Sequence, residues 1–234
     1  MLQSNMNFKM MLKKTKVLYP LWHLFRIKHN ERKEEKKIKA YQKHGNDTLK
    51  KLMNLVITYD YNCIAVSGTL LGLIRDGQLI PWDDDLDFAI IENEEFAWNE
   101  FENNMKKAGF KKYRQFEEND VITGQGYKWK NVLCDFSLWK MKPNEASSSI
   151  LYNCVQVENK EYINNKYMDY RAVYKDVSCI KTIIVKEFNG IHVKIPQNYE
   201  EVLSSLYGDG WKIPDKNYKS NLKEVIISRK AIYY

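Results

Sequence analysis

The clearest pattern of hydrophobic and polar positions lies in residues 85–91, where acidic and apolar side chains alternate. Successive side chains of a β-strand point to opposite faces. Asp85 and Asp87 therefore share one face, while Leu86 and Phe88 share the other. The pattern predicts a strand with an apolar back, which can enter a core, and an acidic front.

Other stretches have the spacing of helices, with apolar residues recurring every three or four positions. The longest spans residues 31–60, and the Gly45–Asp47 segment predicts a break that divides it into two helices. Three shorter helices are predicted at Leu70–Arg75, Glu92–Lys107 and Tyr199–Tyr207.

Apolar and alternating runs predict the remaining strands, and Asn189-Gly190 is a strong hairpin signal between the last two. The predicted strands are Cys63–Val66, Phe110–Phe116, Val121–Trp129, Val132–Lys140, 150–158, Thr182–Phe188 and Ile191–Ile195. Pro143–Ser149 reads as a polar loop, and residues 159–179 have no clear pattern. The mixture predicts an α+β fold with a mixed β-sheet flanked by helices. We divide the chain into a helical N-terminal extension, residues 1–45, and a catalytic domain, residues 46–234.

Composition is consistent with a packed protein that handles anions. The 234 residues are 44% hydrophobic and carry a formal net charge of +7. A basic balance suits phosphorylated partners, but a solvated basic face in the first fifty residues is the favoured explanation of the surplus charge. Four cysteines lack C-x-x-C spacing, so we expect reduced structural residues: Cys63, Cys134, Cys154 and Cys179. No nucleic-acid partner is expected.

The N-terminal segment is basic and aromatic but does not resemble a signal peptide or a membrane span. Its apolar run is short, contains Pro20 and His23, and continues into charged residues. We expect a cytoplasmic protein. Residues 13–29 fit either a peripheral helix at the inner face of the cytoplasmic membrane or packing on the domain.

Candidate chemistry centres on Ile80-Pro81-Trp82-Asp83-Asp84-Asp85-Leu86-Asp87. Carboxylates at positions i and i+2 of a strand repel each other unless a cation lies between them. Oxygen ligands of this kind suit Mg²⁺ or Mn²⁺. An exposed acidic turn after Pro81 is the alternative, and the apolar back of the strand favours the metal site.

A third carboxylate, Asp135, lies in the strongly apolar run 132–139, where it must be paired or bound to a metal. It is a candidate metal ligand or general base. A basic neighbour could satisfy it instead. The Ser67-Gly68-Thr69 turn before a helix could hold phosphate, with Arg75 as a counter-charge, although many strand–helix junctions look similar.

Two segments resemble the LicD family, which includes bacterial phosphocholine transferases and is related to the fukutin proteins. The first joins Ser67-Gly68-Thr69-Leu70-Leu71-Gly72-Leu73-Ile74-Arg75 to the acidic segment at Ile80–Asp87; the second runs from Ile195-Pro196 through Tyr207-Gly208-Asp209 to Trp211 and Pro214. Ser67 stands where glycine is common in the family. The resemblance implies a nucleotidyltransferase-like fold and transfer of a phospho-alcohol group, with phosphocholine favoured, from a CDP-linked donor to a glycan hydroxyl.

The resemblance also implies roles for individual residues. Asp85, Asp87 and Asp135 would be catalytic, and Asp83 would join these three as metal ligands. The residues implied to contact nucleotide or phosphate are Ser67, Gly68, Thr69, Arg75 and Asp84. Because choline is a quaternary ammonium that favours aromatic faces, candidate substrate contacts are Tyr127, Trp129, Trp139 and Trp211. A core or surface position is the favoured interpretation for any one of these aromatic side chains.

Several functional alternatives remain at this stage. The donor could carry glycerol, ribitol or ethanolamine in place of choline, and the acceptor glycan could be lipid-linked. A nucleotidyltransferase that uses a nucleoside triphosphate would need the same carboxylates. A non-catalytic nucleotide-binding module is the least favoured, because all three key carboxylates are intact.

Overall fold

A computed structural model describes residues 18–141, 148–153, 161–164, 167–178, 180, 182–216, 218 and 227–234. Its helices are α1 (Leu18–Thr58), α2 (Ser67–Arg75), α3 (Trp98–Lys107) and α4 (Tyr199–Tyr207), followed by a 3₁₀ turn at Asp209–Lys212. None of the helices in these residues is long and apolar enough to cross a membrane.

The strands are β1 (Cys63–Ala65), β2 (Asp85–Ile91), β3 (Lys111–Glu118), β4 (Val121–Trp129), β5 (Val132–Met141), β6 (Ser148–Asn153), β7 (Glu161–Asn164), β8 (Tyr167–Ser178), β9 (Ile183–Phe188), β10 (Ile191–Pro196) and β11 (Ile227–Tyr233). In the described part of the chain, nine of them form one mixed sheet in the order β1-β2-β5-β4-β3-β11-β8-β6, with β7 paired to β8. Strands β9 and β10 form a separate hairpin. The fold is α+β, as predicted.

Helix α1 corrects one prediction, because it runs without a break through Gly45–Asp47. Gly45 serves close packing there: a Cβ on this residue would lie 3.0 Å from Leu79 Cδ1. Glycine is costly in a helix interior, but here its missing side chain lets α1 approach the loop before β2. The division drawn after residue 45 falls inside this helix.

Two other helices begin at residues that differ from those predicted. Helix α2 starts at Ser67, since Leu70 already donates a helical hydrogen bond to the Val66 carbonyl at 3.0 Å. Helix α3 starts at Trp98, six residues later than predicted. The Glu92 N–H donates to the Trp139 carbonyl of β5, and the Phe96 N–H donates to the Asn93 carbonyl in a turn that precedes the helix.

Most strand predictions are confirmed within two residues, and β2 and β4 match the predicted bounds. In the β9–β10 hairpin, Asn189 and Gly190 both have positive φ, 51° and 76°, as the predicted tight turn requires. The loop predicted at Pro143–Ser149 lies mostly outside the described residues, and its last two residues belong to β6. The strand predicted over 150–158 is described only as far as Asn153.

The core lies between the apolar back of the sheet and the helices. Phe88 of β2 stacks on Phe136 of β5, with ring centroids 5.3 Å apart, and Phe101 of α3 packs edge-on against Phe136 at 5.0 Å. Cys63 and Cys134 are free and buried there, as predicted; Cys154 and Cys179 lie outside the described residues.

Candidate active site

Parallel pairing of β2 with β5 brings the separated carboxylates together. Asp87 is the register partner of Asp135, and Asp85 lies one pleat earlier on the same face. Leu86, between them, is completely buried on the opposite face. Asp135 lies forty-eight residues from Asp87 in sequence, so tertiary pairing alone makes them neighbours.

The turn before β2 adds two more carboxylates. The Asp83 N–H donates to the Ile80 carbonyl at 3.1 Å, and the Asp84 N–H donates to Asp83 Oδ1 at 3.0 Å. These bonds fold the chain back beside the start of the strand. We call Asp83, Asp84, Asp85, Asp87 and Asp135 the acidic site.

Glycines on α2 allow this turn to lie directly against the helix. A Cβ on Gly68 would collide with the Asp83 carboxylate, and one on Gly72 would lie 2.7 Å from the Gln78 carbonyl oxygen. The two glycines are four residues apart and therefore occupy one face of the helix. Their spacing thus reflects the close approach of α2 to the Gln78–Asp83 loop.

Thr69 and Val66 connect the start of α2 to the acidic strand. The Asp87 N–H donates to Thr69 Oγ1 at 2.9 Å, and the Val66 N–H donates to the Asp87 carbonyl at 3.1 Å. Ser67 has a φ of +48°, in the left-handed region that non-glycine residues rarely adopt. The predicted phosphate turn is therefore bonded to the strand that carries Asp85 and Asp87.

Strand β3 supplies the neighbours of Asp135, which the sequence pattern did not reveal. The Tyr113 hydroxyl donates to Asp135 Oδ1 at 2.6 Å, and Arg114 Nη2 donates to Oδ2 at 2.5 Å. Gly126 of β4 makes room, because a Cβ there would lie 2.7 Å from Asp135 Oδ1. Asp135 therefore has a basic partner and also lies beside Asp87.

The proximity of the carboxylates opposes their ionisation. Burial, with a smaller contribution from Asp84, raises the pKa of Asp83 to about 6, although the Asp84 N–H acts in the opposite direction. Burial and the charges of Asp87 and Asp135 raise the pKa of Asp85 well above its ordinary value. Burial and Asp135 do the same for Asp87. Such shifts indicate a site that favours added positive charge.

The donor set fits Mg²⁺ or Mn²⁺. One oxygen each from Asp83, Asp84 and Asp85 lies within 4.8 Å of the others, and Asp87 and Asp135 adjoin them across the sheet. Hard divalent cations prefer carboxylate oxygens and accept substrate phosphates as further ligands. Of the metal ligands predicted from sequence, Asp83 and Asp85 belong to this close group, which Asp84 joins, while Asp87 and Asp135 lie beside it on the sheet.

A cavity of ≈ 480 Å³ opens beside the acidic site between α2, the loop before β2 and the segment after α4. Gly68, Arg75, Asp83 and Trp211 of the sequence predictions line it. Its other lining residues are Leu71, Ile80, Trp82, Tyr207, Gly210, Ile213, Asp215, Lys216 and Tyr218. Burial, followed by the charges of Asp87 and Asp83, raises the pKa of Tyr207, so this ring belongs to the same electrostatic region.

Arg75 has a closer partner than the sequence suggested. Its Nε and Nη2 donate to the two carboxylate oxygens of Asp76 at 2.8 Å and 2.7 Å. The guanidinium therefore lines the cavity as half of an ion pair. A phosphate at this position would share Arg75 with Asp76.

Three of the four candidate aromatic contacts lie away from the cavity. Tyr127 and Trp139 are fully buried in the core, where the hydroxyl donates to Gln125 Oε1 and the indole N–H donates to Ser137 Oγ. Such side chains cannot contact a substrate in this structure. Trp129 lies beneath Lys51 and Lys130, 5.4 Å and 4.4 Å from its ring centroid.

Helix α1 contributes two residues that sequence reasoning missed. Lys37 Nζ donates to Asp84 Oδ2 at 2.9 Å, and the charges of the aspartates raise the pKa of Tyr41 after the effect of burial. Lys37, Tyr41 and Gly45 recur at intervals of four, which places them on one helix face. The spacing is present in the sequence, but a helix break predicted at Gly45 separates these three residues and hides their common face.

A comparison with models of known protein families matches the part of the chain that carries the acidic site. The model of the LicD/FKTN/FKRP nucleotidyltransferase domain matches residues 61–198, more than half of the sequence. The chain belongs to this family. No curated protein matches it in a direct comparison. The LicD match confirms the resemblance recognised in the motifs and indicates a transferase that acts in glycan modification; it contains β1 to β10 of the fold but neither Lys37 nor Tyr41.

Proposed function

We propose that this LicD protein transfers a phospho-alcohol group from a CDP-linked donor to a hydroxyl of a cell-surface glycan and releases CMP. The observation that carries the proposal is the register of β2 and β5, which brings Asp85, Asp87 and Asp135 together, with Asp85 close to Asp83, the member of the acidic site that lines the cavity. Phosphoryl transfer depends mainly on positioning and charge stabilisation, and clustered carboxylates with room for a donor provide both.

In this proposal Asp83, Asp84, Asp85 and Asp87 hold Mg²⁺ or Mn²⁺. The bound cation would offset negative charge on the diphosphate and on the departing CMP. Strand β2 and the hydrogen-bonded turn before it hold these carboxylates in place, which limits the reorganisation needed during the reaction.

Asp135 is proposed to take the proton of the acceptor hydroxyl. The acceptor oxygen forms a bond to the β-phosphorus as the bond from that phosphorus to the CMP oxygen breaks, and the proton passes to the carboxylate. Hydrogen bonds from Tyr113 and Arg114 keep Asp135 in one orientation. If another aspartate of the acidic site is the base, replacing Asp135 will leave substantial turnover.

The composition of the cavity supports a cationic alcohol such as choline. Trp82, Trp211, Tyr207 and Tyr218 present aromatic groups there, and Lys216 Nζ lies 4.6 Å from the Trp82 ring centroid. A ring face that accepts a lysine ammonium can also accept a quaternary ammonium. Phosphocholine is therefore the favoured group, ahead of phosphoethanolamine, phosphoglycerol and phosphoribitol.

The test is a Mg²⁺-dependent CMP-release assay over a panel of CDP-alcohols, with cell-envelope glycans as acceptors. We expect CMP release only with metal, donor and acceptor present, fastest with CDP-choline, and none from the Asp85→Asn variant. Trp211→Leu should slow CDP-choline more than CDP-glycerol. Release of pyrophosphate from a nucleoside triphosphate would instead support a nucleotidyltransferase. Mg²⁺-dependent nucleotide binding without turnover on either panel would support the non-catalytic module.

The first turns of α1 suggest a peripheral contact with a membrane that carries a lipid-linked acceptor. Leu24 and Ile27, 55% and 40% exposed, lie beside the exposed Lys28. Apolar side chains next to basic ones suit the surface of an anionic bilayer. Co-sedimentation with anionic liposomes should be weaker for the Leu24→Glu, Ile27→Glu double variant; equal sedimentation would remove the membrane from the proposal.

A further inference from the structure

Tyr41, on the N-terminal helix α1, has a hydroxyl that the fold leaves unused. The residue is only 2% exposed, and its hydroxyl has no hydrogen-bond partner within the parts of the chain that the structure describes. Buried polar groups in native proteins are nearly always bonded, because burial without a partner is costly. An exception of this kind needs a physical reason.

The position of Tyr41 is set by contacts on both sides of it along α1. One turn before it, Lys37 donates to Asp84. Next to it, Gln42 Nε2 donates to the Pro81 carbonyl at 2.7 Å, and one turn after it Gly45 packs on Leu79. The helix therefore lies along the loop that leads into the acidic strand, and Tyr41 lies between these contacts in the sequence of the helix.

The charges that act on the hydroxyl come from the acidic site. After burial, the groups that raise the pKa of Tyr41 are Asp83, then Asp85, Asp87 and Asp84. A neutral phenol beside carboxylates is a hydrogen-bond donor surrounded by strong acceptors, yet it donates to none of them in the described residues. Asp83 is its strongest electrostatic neighbour, and Asp83 Oδ1 already accepts from the Asp84 N–H.

We propose that Tyr41 is a positioning residue of the acidic site, whose hydroxyl donates a hydrogen bond to the Asp83 carboxylate when a divalent cation is bound there. The inference rests on the proposed function only for its cation. Groups that hydrogen-bond to metal-ligating carboxylates orient them, and their loss weakens metal affinity. Helix α1, which lies entirely outside residues 61–198, thereby becomes part of the site.

The test compares Tyr41→Phe with the wild type by Mn²⁺ binding, measured by electron paramagnetic resonance without nucleotide. We expect the dissociation constant for Mn²⁺ to rise about tenfold. The thermal midpoint of the metal-free variant should be unchanged or slightly higher, because the lost hydroxyl had no described partner. A high Mg²⁺ concentration should restore CMP release by Tyr41→Phe, so the apparent Mg²⁺ requirement rises while the maximal rate is kept.

Tyr61→Phe is the matched control. The Tyr61 hydroxyl is also buried, but it accepts a hydrogen bond from Asn104 Nδ2 at 2.9 Å. This variant should lose thermal stability and keep its Mn²⁺ affinity, the reverse of the result for Tyr41→Phe. Combining Tyr41→Phe with Asp83→Asn should cost less Mn²⁺ affinity than the sum of the two single effects, because the pair acts together.

Three results would overturn the inference. The first is Mn²⁺ affinity of Tyr41→Phe within twofold of the wild type. The second is a loss of metal-free stability as large as that of Tyr61→Phe, and the third is additivity with Asp83→Asn. Failure of the proposed function would give a different result. The protein would bind Mn²⁺ and Tyr41→Phe would weaken that binding, but no CDP-alcohol would yield CMP.

Discussion

Two clusters of charged side chains, each formed by strands of the mixed sheet and a neighbouring turn or helix, differ in how their charges are balanced. In the acidic site, Asp83, Asp85 and Asp87 have no ion pair within the described residues, and the pKa of each is raised. In the second cluster, Glu102 of α3 binds Lys106 at 2.6 Å and Lys112 at 2.5 Å. We call Glu102, Lys106, Lys112, Gln115 and Gln125 the paired cluster.

In the paired cluster, lysine side chains neutralise the charge of Glu102. Burial opposes ionisation of Glu102, but hydrogen bonds from Lys106 and Lys112 outweigh it and lower its pKa. Gln115 and Gln125 complete the network around these groups. A folded chain can therefore neutralise a half-buried carboxylate, and where it does not, the charge is available for a ligand.

The largest expected effect comes from removing a charge at the acidic site. Asp87→Asn should lower turnover by about 10³-fold or more, because the carboxylate is needed to stabilise charge on the phosphates. The same change should raise the free energy of unfolding of the metal-free protein by about 1 kcal/mol, since it relieves like-charge repulsion. CMP release and urea unfolding in EDTA measure the two effects.

Asp120→Asn is the control for Asp87→Asn. Asp120 is exposed in the β3–β4 turn with a φ of 62°, a conformation that asparagine tolerates well. Its turnover and unfolding should match those of the wild type. A loss of metal-free stability in Asp87→Asn would contradict the contrast between the two clusters.

The second-largest effect is expected in the paired cluster, where removing a charge should lower stability and leave turnover nearly unchanged. Glu102→Gln should lower the free energy of unfolding by about 2 kcal/mol, because two lysine donors lose a charged acceptor. Turnover per folded molecule should stay within about twofold of the wild type, as the cluster is structural. Urea denaturation and CMP release measure this, with the exposed Glu94→Gln as the unchanged control.

The third effect is a pH dependence confined to the acidic site. The pKa of Asp83 is about 6 when folded and 3.8 ordinarily, so the folded state binds this proton more tightly. The stability contribution is present below pH 4 and is lost as pH rises through 6. In EDTA, the free energy of unfolding of Asp83→Asn should rise relative to that of the wild type by about 2 kcal/mol between pH 4 and pH 7, as measured by thermal unfolding. A constant difference over that range would contradict the raised pKa.

The smallest effect is expected for Lys37, which forms an ion pair with Asp84 of the acidic site. Lys37 is 37% exposed, and exposed ion pairs contribute little. Lys37→Met should therefore change the free energy of unfolding by less than about 0.5 kcal/mol, as should the exposed Lys39→Met. A loss of unfolding free energy as large as that of Glu102→Gln would mean that ion pairing, rather than a ligand, balances the negative charge of the acidic site.

Sequence patterns predicted those parts of the molecule that depend on neighbours along the chain. The alternation over residues 85–91 fixed both the bounds of β2 and its two faces, because side-chain direction in a strand follows position alone. Asn189-Gly190 predicted its hairpin for the same local reason. The motif residues from Ser67 to Asp87 identified the family, which the match over residues 61–198 confirmed.

Local patterns were insufficient where packing outweighs propensity. Gly45 looked like a helix break, yet α1 continues through it because close packing on Leu79 favours a residue without a side chain. The aromatic residues Tyr127 and Trp139 looked like substrate contacts, but the sheet buries both. Composition cannot distinguish a ring in a core from a ring in a cavity.

The sequence by itself determined which carboxylates share a strand face and which family the chain joins. Only the tertiary structure decided which groups meet: Asp135 beside Asp87 through parallel pairing, Tyr113 and Arg114 on Asp135, and Tyr41 against the acidic turn. Strand register and helix packing depend on the shape of the whole core. Contacts between residues far apart in sequence are therefore a property of the folded chain, which no local pattern specifies.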